Sequence, residues 1–571
     1  MPYTILMPST IVFFFILILA ILLEGIGIPY DRKIPLYLII ALPFFVFILN
    51  LKNNKFLAPK NLTILSSFFI LLSILSFILS ANIDQSFRFL LLYFSYFLIF
   101  IFAFNNKEGL EKFLVPVIFF LSIVFSLYSL APLFIPETGY QFVFPKFSSH
   151  NHLADFLLLP LVACFYYLLS KRTKIYNLRA IIYNLLILFF VPYFIFSYSR
   201  SAYLDIIIVG GAVFFNRILK RRKLPDIIPT FAIILTILVS SVLFLSTAKD
   251  IKKEGIVAGA ERFLSIKYGF EGKELLASRD QYIRESFLSI FSTPLFGIGP
   301  GNFYYTSVKF TKTPSLWTET AHNIFLDIFV ENGILAGIVF VFIIISIVKR
   351  SEKNIFFLLL LALFLNFQTD YTYRIYSFFA LFFVLAGTIY KEKKLIEIKK
   401  PFAIVSVLLL VAASAIFLSS LATKASNHIL AFYLYPLNKA SYQPLIESSI
   451  LRKDKEEETF LLALYRNLFR GDSEVLGYLG KTYERKGNEA LALKYYEEAF
   501  EADSFRDWSI IRKIYDLKRS LEGEGNAREF TKQVFQKVEQ VKDKWTINEN
   551  FRIETMKLCQ KLYSLHCPYD L

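Results

Sequence analysis

Over its first 422 residues the chain repeats one pattern: a run of about twenty Leu, Ile, Phe and Val positions, a short polar break, then another run. At 1.5 Å of rise per residue, such a run crosses a hydrocarbon core of about 30 Å as a helix. The pattern predicts spans at roughly 5–29, 34–51, 61–81, 86–104, 111–135, 151–170, 178–198, 201–216, 226–247, 322–348, 354–369, 375–390 and 401–422. The segments at 201–216 and 354–369 are short, so the expected fold is an all-α polytopic helical membrane protein of about 12–13 transmembrane helices. The first span has neither a basic flank before it nor a small-residue cleavage site after it, which favours a retained helix over a signal peptide. From 423 onward, amphipathic stretches rich in Glu, Lys, Tyr and Leu replace the apolar runs. The predicted division is therefore 1–422, a membrane domain interrupted by a large loop at 248–321, and 423–571, a helical domain outside the bilayer.

Composition agrees with the pattern: 64 of 571 residues are Phe, and the mean hydropathy is +0.52. A net charge of +16 would ordinarily suggest nucleic acid, but its placement excludes that partner. Basic residues crowd alternate short loops, as in Lys171-Arg172-Lys174, Arg217 with Lys220-Arg221-Arg222-Lys223, and Lys391-Lys393-Lys394. This alternation places the N-terminus in the cytoplasm. It puts the 136–150 loop, the turn Ser199-Arg200-Ser201, the 248–321 loop, Asp370-Tyr371-Thr372-Tyr373-Arg374 and the tail on the opposite face. All of the candidate chemistry falls on that face.

Within the tail, Leu476, Leu479-Gly480, Tyr483, Gly487, Ala492, Tyr496 and Ala499 fit one tetratricopeptide repeat, with Ser504 where proline is usual. Two uses of such a tail stand open, a docking surface for a protein or glycan and a stabilising cap. The cysteines Cys164, Cys559 and Cys567 form no disulfide framework, although the last two, eight residues apart, can pair if the tail lies in an oxidising compartment.

Candidate chemistry concentrates in a few polar positions. A charge at membrane depth costs about 2.5–3.5 kcal/mol on insertion scales, so Arg200, between two spans, is expected either to face a cavity or anion or to snorkel to the headgroups. Arg279 and Arg284 open an amphipathic stretch, with Tyr282, Phe287, Ile290 and Phe291 on its apolar side, suited to a bilayer surface. Five residues apart, the two arginines do not share a face, and a solvated position suits Arg284 better. The glycine-rich turn Gly297–Gly301 permits close backbone approach to a ligand but is no phosphate loop. His322, at the lip of a span and near basic residues, is a candidate general base. His150 and His152 open another span on the same face. They point apart at i, i+2, and with no carboxylate at suitable spacing they are not expected to bind metal. No Asp-x-Asp pair stands ready to hold a metal against a diphosphate, so arginines would have to supply the positive charge.

Taken in order, Tyr198-Ser199-Arg200-Ser201, Arg279 with Tyr282, Pro294-Leu295-Phe296-Gly297-Ile298-Gly299-Pro300-Gly301-Asn302-Phe303, His322-Asn323 with Asp327, and Glu331 with Gly333 and Gly337 resemble the O-antigen ligase and polymerase superfamily. Asn151-His152-Leu153-Ala154 resembles a further signature of that family, and the likeness covers roughly 145–390. Tyr282 stands where an aromatic residue, often Trp, is usual, and His150 stands where proline is common. The resemblance implies a GT-C-like membrane fold that acts without cofactor or metal. It implies transfer of a glycan from undecaprenyl diphosphate to an acceptor hydroxyl, lipid A-core in a ligase, on the periplasmic face of the bacterial inner membrane. It assigns Arg200 and Arg279 to the diphosphate and His322 to the acceptor hydroxyl, with inversion. Arg284, Asn151 and Asn323 are further expected substrate contacts. A polysaccharide polymerase and a protein O-oligosaccharyltransferase share this donor chemistry. A non-enzymatic transport or assembly scaffold is the alternative of another class, disfavoured because most spans carry no charge. Expected partners are the lipid-linked donor, the hydroxyl acceptor, membrane lipid and a protein engaged through the helical repeats.

Overall fold

The computed structural model describes residues 8–25, 44, 56–129, 150–170, 178–197, 199–221, 279–311, 317–398, 400–504, 507–539, 549–563 and 566–569. The apolar runs become α1 (Pro8–Gly25), α2 (Lys60–Ile78), α3 (Ile83–Asn105), α4 (Lys107–Tyr128), α5 (His150–Ser170), α6 (Leu178–Phe196), α7 (Arg200–Arg221), α10 (Ile324–Arg350), α11 (Ile355–Asn366), α12 (Tyr376–Ile389) and α13 (Lys400–Lys424), with α8 (Arg279–Ser292) and α9 (Phe303–Phe310) between α7 and α10. Six of these helices are long and apolar enough to cross a membrane, and five are shorter apolar helices. Together they coincide with eleven of the expected spans. Those expected at 34–51 and 226–247 lie outside the described residues, save Phe44. The chain is an all-α polytopic helical protein.

α3 packs along α12, α10 along α2, and α5 against α6 and α7. One continuous apolar core runs through them, in which Tyr96 stacks on Tyr376 and Phe383 and meets Phe379 edge-on. Large apolar side chains also face outward, among them Phe68 and Leu71 on α2 and Leu408 and Val411 on α13. An apolar exterior over an apolar core is what a lipid solvent requires.

The polar connections gather at two ends. At one, strands β1 (Leu57–Pro59) and β2 (Leu395–Glu397) pair antiparallel, and Glu352 accepts from Lys107 at 2.6 Å and from Lys391 at 2.7 Å. At the other lie the α2–α3 turn, residues 294–311 and 317–323, the α11–α12 loop and the start of the tail, linked by hydrogen bonds from Ala81 to Ile298 and from Asn323 to Gln368. The charge alternation in the sequence separates these same two sets of loops.

The glycine-rich turn has a use the sequence did not reveal. α10 is broken at Gly333, where φ is 83°, and a Cβ there would lie 2.2 Å from the Leu295 carbonyl oxygen. The break frees helix carbonyls, which the turn captures: Ile298 N donates to Val330 O at 3.1 Å and Gly299 N to Glu331 O at 2.9 Å. In return Ile334 N donates to Pro294 O at 2.9 Å. Gly299 has φ 100°, and a Cβ on it would overlap the Ser80 side chain at 2.1 Å. The glycines thus admit α10 and the α2–α3 turn.

The tail continues as α14 (His428–Leu434), α15 (Lys439–Arg452), α16 (Lys455–Leu468), α17 (Ser473–Arg485), α18 (Glu489–Ala502), α19 (Trp508–Leu521), α20 (Glu524–Glu539) and α21 (Glu549–Leu562). It holds apolar clusters of its own, and Tyr435 and Leu437 at its start join α3 and α13 in another. α17 and α18 form a close pair because Gly480 offers no side chain to the Tyr496 ring, which a Cβ would meet at 2.7 Å. Cys559 and Cys567 are joined by a disulfide.

Candidate active site

α10 begins with a held turn. Asn323 Oδ1 caps the helix by accepting from Phe325 N at 3.0 Å and Leu326 N at 3.1 Å. Its Nδ2 donates to the Gln368 carbonyl at 3.3 Å and side-chain oxygen at 3.2 Å. Asn323 therefore joins α10 to the α11–α12 loop. Just before the cap, His322 takes the left-handed conformation with φ 54°, held by its own N–H donating to Thr320 Oγ1 at 2.9 Å. A non-glycine residue kept there stores strain of roughly 1–3 kcal/mol, which the surrounding bonds must sustain.

The strain aims the ring. His322 Nδ1 lies 3.7 Å from Asp370 Oδ1 with the side chain 20% exposed, while His152 Nε2 approaches the same oxygen at 3.7 Å from a fully buried side. Tyr371 wedges its ring edge-on against both imidazoles, at 4.6 and 5.0 Å between centroids. On the other face of His322, Tyr282 stacks nearly parallel at 5.5 Å. Asp370 itself is fixed by Tyr371 N at 2.7 Å. Burial alone would raise its carboxyl, but the two facing imidazoles overcome that and hold it well below the usual carboxylate range. A carboxylate faces His322, where the sequence suggested basic residues.

α8 delivers Arg279 to this group. Arg279 is half-buried at the helix start, three residues before Tyr282, so both share the face turned toward His322. Its charge is felt at buried Asp155 on α5 and at Tyr282. Arg284 is exposed, its guanidinium reaching the Phe310 carbonyl at 3.4 Å. The structure thus separates Arg284 from the site, as its five-residue spacing from Arg279 implies. The outward apolar stripe of α8 is Ile283, Phe287, Leu288 and Phe291. Tyr282 and Ile290, expected on that stripe, turn toward the protein instead.

Arg200 opens α7 between the buried Ser199 and Ser201, whose hydroxyls are 3.1 Å apart. One turn further along, Asp205 accepts from Asn366 at 3.4 Å, and Thr372 donates to the same Asn366. The α7 start therefore belongs to the end that carries Asp370. Asn151 is half-buried beside His152. His150 opens α5, and nothing further is described of it.

His152, Asp155 and Asp370 bring one ligand atom each within 4.8 Å of one another and are the group that can hold a cation among the described residues. The sequence analysis missed this group. His152 and Asp155 are spaced i, i+3 on one helix face, a signal that was visible, whereas Asp370 joins from more than two hundred residues away.

A second cluster lies beside the first. Arg374 Nε donates to Asp327 Oδ2 at 2.9 Å, and its terminal nitrogen reaches both Asp327 and, at 2.5 Å, Glu331. Tyr373 donates to Asp327 at 2.7 Å. The two carboxylates also hold backbone, Asp327 accepting from Ala321 N at 2.6 Å and Glu331 from Phe303 N at 3.2 Å. Burial would depress the Arg374 guanidinium, but the paired carboxylates outweigh it and push it well above its usual value. Asp327 and Glu331, one turn apart, thus anchor both the His322 turn and the end of the glycine-rich turn.

No curated protein and no solved structure matches the chain. The family model described as O-Antigen ligase matches residues 184–341. That stretch contains Arg200, Arg279, the glycine-rich turn, His322, Asp327 and Glu331, and stops short of His152 and Asp370. The match supports the resemblance carried by the motifs: residues 184–341 are similar to the O-antigen ligase family, whose members are membrane glycosyltransferase-like enzymes.

Proposed function

We propose that the chain transfers a glycan from undecaprenyl diphosphate to the hydroxyl of an acceptor, lipid A-core, at the end of the bundle that carries His322. The observation that carries this reading is the strained His322 set between Asp370 and the α8 face bearing Arg279. With Nδ1 turned to Asp370, Nε2 is the nitrogen left to accept the acceptor's proton. The deprotonated oxygen attacks the anomeric carbon from the side opposite the diphosphate, inverting it. The bond between that carbon and the phosphate oxygen breaks, and its electron pair leaves with undecaprenyl diphosphate. Arg279 and Arg200 stabilise the charge that develops there, the role a fixed guanidinium performs for phosphoryl oxygens. Asp370 orients the imidazole and stabilises it once charged, as a buried carboxylate does for a catalytic histidine.

The reading places the site and tail on the periplasmic face of the bacterial inner membrane. Two observations support this side: the disulfide in the tail, suited to an oxidising compartment, and the basic loops gathered at the opposite end.

The test is transfer in reconstituted membranes, with purified undecaprenyl-diphosphate glycan and separate lipid A-core and protein acceptors, with and without EDTA. The expected result is glycosylated lipid A, unaffected by EDTA, lost in Arg279→Ala and His322→Ala. Loss with EDTA would move the chemistry to a cation at His152, Asp155 and Asp370. Transfer only to protein, or only chain extension, would replace the acceptor. No transfer to any acceptor, with both variants matching wild type in cells, would leave a scaffold.

A further inference from the structure

We propose that the tail is a positioning element of the transfer site, acting through a backbone clip at Ala81, and that Arg470 and Tyr305 are the residues that close it. The link to transfer rests on the function proposed above. The α2–α3 turn is gripped from two sides. From the bundle, the Ala81 N–H donates to Ile298 O at 3.0 Å, Ser86 Oγ donates to Pro300 O at 3.0 Å, and Asn302 Nδ2 donates to Ser86 Oγ at 2.8 Å. From the tail, Gly471 N donates to the carbonyl of the same Ala81 at 3.1 Å. The contact is close enough that a Cβ on Gly471 would press on the Ala81 side chain at 2.7 Å.

Arg470 supplies the charge in this clip. Its Nε donates to Ser80 O at 2.9 Å and its terminal nitrogen to Ile78 O at 2.9 Å. These are carbonyls at the C-terminal end of α2, where the helix leaves acceptors unsatisfied and its dipole favours a cation. A second strand of the clip passes through α9: Asn82 Nδ2 donates to Tyr305 Oη at 2.9 Å, and Tyr305 Oη donates to Asp472 Oδ2 at 3.1 Å. Lys439 also donates to Asp472, at 2.6 Å.

The path onward is short and polar. The glycine-rich turn held by Ala81 occupies the break in α10 at Val330 and Glu331. Glu331 shares Arg374 with Asp327, and Asp327 holds Ala321, the neighbour of His322. A tail that only tethered a partner would have no need to satisfy the backbone of the turn that seats the catalytic loop.

The experiment uses the full chain in nanodiscs, as wild type, Arg470→Ala, Arg470→Lys and Tyr305→Phe. Amide hydrogen exchange is read at residues 294–303 and 320–324, beside kcat and KM for donor and acceptor. The expected result for Arg470→Ala is exchange at Ile298 and Gly299 faster by about tenfold and kcat lower by about tenfold, with both KM values little changed. Protection within α17 and α18 should stay as in wild type, which separates loss of the clip from unfolding of the tail. Arg470→Lys should restore part of both effects, and Tyr305→Phe should show a smaller shift in the same direction. Unchanged exchange at 294–303 in Arg470→Ala and Tyr305→Phe overturns the clip. Faster exchange with undisturbed kcat overturns its bearing on transfer. If the wild type transfers to no acceptor, exchange still decides whether the tail orders the turn, so the two proposals fail separately.

Discussion

Asp370 and Arg374 are four residues apart in one loop, yet they build opposite kinds of cluster. Around Arg374 the network is closed: Arg374 donates to Asp327 and Glu331, Tyr373 donates to Asp327, none of these bonds is longer than 2.9 Å, and the carboxylates' further contacts are backbone N–H groups. Around Asp370 the network is open: both histidines stop at 3.7 Å, too far for a hydrogen bond, and His322 remains reachable from outside. A closed ionic network in a low-dielectric setting holds a shape, and any missing partner is costly. An open one leaves its imidazoles untied to the carboxylate. Two charged residues in one short loop would look equivalent by type and position, and only the distances tell the closed network from the open one.

The largest effect expected from breaking this contrast is on the open side. Asp370→Asn keeps size and hydrogen-bonding capacity but removes the charge facing His322. Transfer should fall by roughly 10²–10⁴-fold, the range associated with loss of an oriented proton-transfer group. The melting temperature should change little. If transfer survives within about twofold, Asp370 does not orient the base.

On the closed side the order of effects reverses. Arg374→Ala leaves Asp327 and Glu331 buried without their cation, a defect of about 3–5 kcal/mol. The expected readout is a lower thermal midpoint in detergent, with activity lost in proportion to the folded fraction. A variant that melts as the wild type does but fails to transfer would move Arg374 into the chemistry.

Much of the frame was legible because membrane solvation imposes it residue by residue. Apolar runs marked eleven helices, six of them long enough to cross a membrane, and the loop charges separated the two ends. His322 stood out as a polar residue at a span's lip. What stayed hidden is tertiary. Asp370 and Arg374 read alike as members of one polar loop, since nothing local brings the one to His152 and His322 or the other to Asp327 and Glu331. The glycine-rich turn was recognised as special, but its ligand turned out to be the broken helix α10, whose kink at Gly333 no spacing announces. Asn323 caps α10 with its side chain, a use that its place in the motif beside His322 does not announce.

Glu285 provides the sharpest test of the closed-versus-open distinction, because its cluster is closed without a cation. It is buried on α8 and accepts from Gln281 at 2.7 Å and Ser307 at 2.9 Å, and so ties α8 to α9. Burial pushes its carboxyl up to about 7, against the opposing pull of those bonds and of Arg284. A folded-state value raised above the unfolded one means the native protein holds the proton more tightly. Its stabilisation is complete below about pH 4.5 and is lost as pH rises through about 7. Glu285→Gln mimics the protonated form, so the variant should match wild type near pH 5 and exceed it near pH 8. The gap should be at most on the order of 3 kcal/mol, since one pKa unit corresponds to about 1.4 kcal/mol. Thermal midpoints of both proteins across pH 5–8 check it. Parallel curves would mean that Glu285 stays ionised throughout, and that a neutral hydrogen-bonded cage can hold a buried charge without a partner.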